Sequence, residues 1–286
     1  MLEDELRIAK DLAFQVGEKM LHFVGRLNAI EYKDNHEIVS EADFLADRVL
    51  KETLQKHFPD YGILTEESED DLSRLEKNKV WIVDPLDGSR AFVRYCQSSI
   101  SDEREKHCTF SVMIGLAING DSKLGVVYAP VKKELYFAVD GKGAYKKTSN
   151  KFQKLHVSRR SKLERMSLVV SHRMYRDKLL FRAFKDFPSK RKEILHALGY
   201  KICSIANGDN DVHFSLRPRV KEWDLCAPKV ILDEAGGKVT DLQGDPVVFN
   251  KKDTRFLNGL IVSNGMAHRE IIRYLSPFFS LTNKST

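Results

Sequence analysis

Apolar side chains at Leu2, Leu6, Ala9, Ala13, Val16, Met20 and Val24 recur every three or four residues, which predicts a long amphipathic first helix. Residues 33–37 interrupt this pattern as a polar loop, and a second helix is expected over 41–57. Ser40 suits its N-cap, with Asp43 three residues on in place of the usual capping-box glutamate. Residues 61–65 read as a short strand running into Glu66-Glu67-Ser68, and a charged connection over 69–79 leads to the apolar run that starts at Trp81. After Ser89 the segment Arg90-Ala91-Phe92-Val93 can begin a helix, and residues 97–106 read as a polar surface loop.

From residue 109 the texture becomes β. Runs over 109–118, 124–128 and 134–139 are separated by turn signals such as Asn119-Gly120-Asp121, as expected of antiparallel neighbours. Beyond residue 155, strands are expected at 167–171, 202–207, 211–214 and 260–263, with helices from about Arg176, from Trp223 and from His268. The Trp223 helix has Asp224 at its start, Pro228 early and a Gly236-Gly237 stop. The change of texture divides the chain into an α+β half (1–154) and an α/β half (155–286), closely packed on one another.

Composition narrows the class. The 286 residues are 42% hydrophobic and 31% charged, as in a folded globular protein. No apolar run reaches the roughly 20 residues of a membrane-spanning helix, and the acidic start Met1-Leu2-Glu3-Asp4-Glu5 lacks the layout of a signal peptide. A cytoplasmic protein with no membrane partner is expected. Cys96, Cys108, Cys203 and Cys226 form no CxxC pair, which argues against zinc, redox or disulfide chemistry and for reduced thiols in the core. His107-Cys108 does not begin a cysteine-phosphatase loop, because Ile114 stands where that loop needs arginine. The net charge is +6, and the basic clusters at 158–162 and 188–192 lack interleaved aromatics. Nucleic acid is therefore not the expected partner; a small phosphorylated metabolite is.

The chemistry concentrates at Asp84-Pro85-Leu86-Asp87-Gly88-Ser89. Two carboxylates at the exit of a buried strand are costly to desolvate unless a cation meets them. Glu66 ends the preceding strand, and Asp224 opens a later helix. Hard divalent ions such as magnesium take oxygen donors of this kind, and the Leu86 carbonyl can turn toward the same ion. Gly88 and Ser89 open a helix, whose first N–H groups suit a phosphate oxygen. Taken singly, each acid reads better as a cap, turn or solvated loop residue than as a ligand; their joint presence points to a metal site.

Glu66-Glu67-Ser68, the run from Trp81 to Ser89, and Trp223-Asp224 with Glu234-Ala235-Gly236-Gly237 resemble the three signatures of the inositol monophosphatase superfamily, over roughly residues 33–262. The resemblance implies a sugar-phosphatase-like αβαβα sandwich of the α/β class. It also implies a magnesium-dependent, commonly lithium-sensitive phosphomonoesterase with two Mg2+ ions, or three. Glu66, Asp84 and the Leu86 carbonyl would hold the first ion, and Asp84, Asp87 and Asp224 the second. Ser89, paired with Asp43, would orient and deprotonate the attacking water, while the Gly88 and Ser89 amides bind phosphate. Thr65 stands where relatives often have glycine, and Ser89 where threonine is usual.

Within the superfamily, the segment Trp223 to Leu232 and the Gly199-Tyr200-Lys201-Ile202-Cys203 run resemble the 3'(2'),5'-bisphosphate nucleotidases more than the inositol phosphatases. A bisphosphate nucleotide needs cations for the phosphate that stays behind, and Lys201, Arg217 and Arg219 are candidates. Glu222 can be read as a substrate contact for either class, and Ser171 and His172 as the wall of a base pocket. An inositol or sugar phosphate is the alternative substrate, and both a monomer and a homodimer remain open.

Overall fold

The computed structural model describes residues 2–27, 30–32, 38–98 and 109–282. The expected loop at 33–37, most of that at 97–106, and His107-Cys108 lie outside the described residues. The elements run α1 (Glu3–Leu21), β1 (Ile30–Tyr32), β2 (Ile38–Ser40), α2 (Glu41–His57), β3 (Gly62–Thr65), β4 (Lys79–Asp87), α3 (Ser89–Gln97), β5 (Ser111–Ile118), β6 (Asp121–Ala129), β7 (Glu134–Val139), β8 (Ala144–Lys147) and β9 (Phe152–Lys154). They continue with β10 (Ser167–Val170), α4 (Lys178–Asp186), β11 (Arg191–Ile194), α5 (Leu198–Ala206), β12 (Val212–Ser215), α6 (Glu222–Glu234), β13 (Lys238–Thr240), β14 (Leu260–Ser263) and α7 (His268–Thr282).

Strands β3 to β9 form a seven-stranded sheet in sequence order, with only the β3–β4 pair parallel. A five-stranded sheet has the order β11-β10-β12-β14-β13 and mixes parallel and antiparallel pairs. Successive residues of a strand point to opposite faces, and β4 shows what that achieves. Trp81 and Val83 pack with Leu12, Val16 and Leu50 of α1 and α2, whereas Val80 and Ile82 join the core containing α5 and α6. That central core also takes Val169 and Val262 from the second sheet, whose far face (Leu168, Val170, Phe214) packs on Ala183 of α4 and Ile271 of α7. The layers are helix, sheet, helix, sheet, helix, the αβαβα sandwich that the resemblance implies.

Helix α6 lies close against the first sheet because Gly115 and Gly125 are paired across β5 and β6. A Cβ on Gly125 would come within 2.1 Å of the Ala227 carbonyl oxygen, and one on Gly115 within 2.8 Å of the Ala227 nitrogen. The two glycines set the depth of the helix that carries Asp224.

One expected element is corrected. Residues 202–207 are not a strand: α5 covers Leu198–Ala206. Every residue from Ile202 to Ala206 is buried, so the run has no polar face to reveal helical period. The short strands β1, β2, β8, β9, β11 and β13 were not anticipated.

Candidate active site

The C-terminal end of β4 enters a cleft of about 270 Å3 between the two sheets. A regular strand would aim residues 84 and 87 to opposite faces. Between them the register against β5 shifts, since Asp84 pairs with Met113 and Asp87 with Ser111. Such an irregularity re-aims side chains, and both acids line the cleft with Glu66, Leu86 and Asp224. Gly88 caps α3 at φ 93°, a left-handed conformation glycine adopts readily, so the chain turns at once from strand into helix. Gly88 and Ser89 line the cleft at that helix start, where the first N–H groups have no intrahelical acceptor.

Main-chain amides orient the acids. Asp84 Oδ1 accepts from the Leu86 amide at 3.0 Å, and Asp224 Oδ2 from the Lys221 amide at 2.6 Å. Asp87 takes two, its Oδ1 from Leu198 at 3.0 Å and its Oδ2 from Gly199 at 2.7 Å, with the Ser111 hydroxyl adding a bond at 3.2 Å. Asp87 therefore caps α5, the helix that carries Lys201. Asp43 Oδ2 accepts both the amide and the hydroxyl of Ser40, while its Oδ1 accepts the Ser89 hydroxyl at 3.0 Å. The Leu86 carbonyl oxygen lies 3.1 Å from the same hydroxyl.

The acids repel one another. Burial, then the charges of Glu66, Asp87 and Asp224, push the Asp84 carboxyl well above its ordinary range. Burial raises Asp87 too, although the Leu198 and Gly199 amides and the Lys201 charge pull it back. Among the described residues, no three His, Cys, Asp or Glu side chains stand grouped as a ready-formed metal cage. The donor set nevertheless suits a hard cation: all its donors are oxygens, and a cation would relieve the repulsion around the buried Asp84.

The cleft walls are basic. Arg90, Arg94, Arg176, Lys201, Arg219 and Lys221 line it. Lys201 is only 4% exposed, and it faces both Asp87 and His213 electrostatically. Ser171 and His172 also line the cleft, and the His172 and His196 rings lie 5.1 Å apart at 33°. His213 Nδ1 is 2.8 Å from the Val169 carbonyl oxygen, and burial lowers its pKa to about 3, so the ring is neutral at physiological pH.

Two expected substrate contacts are found elsewhere. Arg217 Nε donates to Asp177 at 2.9 Å, and Glu222 is fully buried with its carboxylate accepting the Asn250 and Lys251 amides; neither is part of the cleft lining. Arg219 is in the lining, with Asp177 3.9 Å away. Sequence reading missed Arg90, Arg94, Arg176 and Lys221. For Arg90 and Arg94 a signal was present, because their i,i+4 spacing just after Ser89 puts both on one helical face at the cleft. Among the described residues, no helix is long and apolar enough to cross a membrane.

Comparison with known proteins shows the family to which the chain belongs. A fructose-1,6-bisphosphatase/inositol-1-monophosphatase of Thermotoga maritima is 31% identical over 276 residues, 96% of each chain. The 3'(2'),5'-bisphosphate nucleotidase CysQ of Haemophilus influenzae is 26% identical over 245 residues, 85% of this chain and 86% of that protein. The solved inositol monophosphatase of Thermotoga maritima superposes with a TM-score of 0.78 at 27% identity, covering 97% of this chain and 98% of that one. The inositol monophosphatase family profile matches residues 1–277, and the chain belongs to that family, whose members are generally magnesium-dependent phosphatases.

Proposed function

We propose that the protein removes the 3'-phosphate of adenosine 3',5'-bisphosphate and related nucleotides. One observation carries the choice of substrate: an acidic floor of Glu66, Asp84, Asp87 and Asp224 continues into a wall of arginines and lysines around Lys201. The floor suits the phosphate that reacts, and the wall suits a second phosphate that stays behind. The His172 and His196 rings line the cleft side by side and offer aromatic surface on which a base can stack. Glu222, a carboxylate that could have bound inositol hydroxyls, is taken up by backbone amides outside the cleft.

Magnesium held by Glu66, Asp84, Asp87, Asp224 and the Leu86 carbonyl would polarise the phosphoryl oxygens and lower the pKa of water. The residues do the rest. The Gly88 and Ser89 amides at the start of α3 hold the transferring phosphate. The Ser89 hydroxyl orients the attacking water, and Asp43 Oδ1 receives the proton that Ser89 passes on. Lys201 and Arg219 fix the far phosphate and with it the line of attack. No covalent phosphoenzyme is required.

The test is phosphate release from adenosine 3',5'-bisphosphate, adenosine 3'-monophosphate, inositol 1-phosphate and fructose 1,6-bisphosphate, with magnesium and with added lithium. We expect the nucleotide bisphosphate to have the highest kcat/KM, and Lys201→Ala to reduce it far more than the value for the monophosphate. A preference for inositol phosphate, or equal losses across all substrates in Lys201→Ala, would overturn the assignment.

A further inference from the structure

Glu66 and Asp224 approach the cleft from different layers, one from the turn after β3 and the other from the start of α6. A buried guanidinium lies between the segments that carry them. Arg74 sits in a short 3-10 turn, Ser73–Glu76, and is 1% exposed. Its Nε and Nη2 grip Asp70, with Nη2 to Oδ2 at 2.8 Å, which fastens the end of the turn that begins at Glu66. Its Nη1 donates to Asn250 Oδ1 at 2.7 Å and Nη2 to the Lys251 carbonyl at 2.9 Å. Asn250 returns a bond from Nδ2 to the Arg74 carbonyl at 3.1 Å.

The same two residues hold the other segment. The Asn250 amide donates to Glu222 Oε2 at 2.6 Å and the Lys251 amide to Oε1 at 2.9 Å, and Glu222, fully buried, stands two residues before Asp224. Asp70 stands four positions after Glu66, and hydrogen bonds link it without a break through Arg74, Asn250 and Lys251 to Glu222. Asn250 adopts φ 58°, a left-handed conformation that turns its side chain toward Arg74 and its amide toward Glu222. Burial alone raises the Glu222 pKa, and the two amides oppose that rise.

We propose that Arg74 is a positioning residue which, through Asn250 and Glu222, fixes the Glu66 turn against the start of α6 and so sets the separation of Glu66 and Asp224 for a divalent cation. This rests on the reading of Glu66 and Asp224 as magnesium ligands. Arg74 is not part of the cleft lining. Lysine in its place keeps the charge and loses the fork that spans Asp70, Asn250 and Lys251.

The experiment is calorimetric titration of the full chain with magnesium chloride in the absence of substrate, alongside thermal unfolding. Arg74→Lys is compared with Asn250→Gly, which keeps the left-handed backbone and the amide to Glu222 while removing the side chain that meets Arg74. Both variants are expected to bind magnesium roughly 10-fold more weakly or worse, as when groups that orient metal ligands are lost. Their kcat should recover at high magnesium, with KM for substrate unchanged. A folded variant with wild-type magnesium affinity, whatever its Tm, overturns the proposal. If Arg74→Lys does not fold, Asn250→Gly decides alone. A wild-type chain that takes up no magnesium would instead refute the ligand assignment itself.

Discussion

The Ser89 hydroxyl stands 3.0 Å from Asp43 Oδ1 and 3.1 Å from the Leu86 carbonyl oxygen, and it has one hydrogen to offer the two acceptors. When that hydrogen goes to Asp43, the serine oxygen is free to accept from a water in the cleft. Ser89→Ala removes the proposed relay and leaves the Gly88 and Ser89 amides in place. It should lower kcat by roughly a hundredfold or more, the usual scale of a lost proton-transfer partner, and change KM little. Ser89→Thr keeps the hydroxyl and should retain most activity. Steady-state kinetics on both variants checks this, and a large KM effect with kcat intact would count against the relay.

Asp87 joins two functions. Its two oxygens accept the first amides of α5, and the same helix carries Lys201. In Asp87→Asn one of those amides faces an NH2 group, and an unsatisfied buried donor costs about 1–3 kcal/mol. We expect turnover to fall nearly to background and Tm to drop. Asp84→Asn, whose Oδ1 partner is the single Leu86 amide, should lose activity with a smaller change in Tm. Equal Tm values for the two variants would separate Asp87 from the docking of α5.

The acids of the floor were legible in the sequence because each sits where a strand or helix ends, and local pattern reports such ends well. The Ser40–Asp43 contact at the start of α2 was legible for the same reason. Glu222 was not, since its partners lie 28 and 29 residues away in a loop with no pattern of its own. Arg74 stands in a stretch that includes Asp70, Asp71 and Glu76 and reads as solvated, yet its guanidinium is buried against residues 176 positions on. Helix α5 was mistaken for a strand because both its faces are covered. What sequence periodicity misses here is burial produced by long-range contact.

The fit of α6 on the first sheet yields a third expectation. Gly125→Ala would set a methyl group 2.1 Å from the Ala227 carbonyl oxygen, a backbone atom that only movement of the helix can relieve. Overpacking of this kind costs about 1–3 kcal/mol, and the displacement would be passed to Asp224 three residues up the helix. Chemical denaturation should show the loss of stability, and activity should fall even where the protein is fully folded. Unchanged stability would mean that the sheet yields instead of α6.

Arg217 and Asp177 give the last expectation, which separates stability from specificity. Burial pushes the Asp177 carboxyl up, but the Leu180 amide and Arg217 outweigh it and hold the group below its ordinary value of 3.8. A carboxylate whose pKa is lowered by folding adds stability that is fully present above the unfolded value. That stability is lost as pH falls through the lower folded one. Arg217 is 40% exposed, so the pair is partly screened and is worth no more than about 1 kcal/mol. Arg217→Ala should therefore lower Tm slightly at pH 7, and the difference from wild type should fade as pH falls through the lowered Asp177 pKa and that carboxyl becomes protonated. Its KM for adenosine 3',5'-bisphosphate should stay at the wild-type value, because the guanidinium is committed to Asp177 and lies outside the cleft lining. Thermal unfolding across that pH range and one substrate titration are enough, and a KM raised as far as in Lys201→Ala would return Arg217 to the substrate wall.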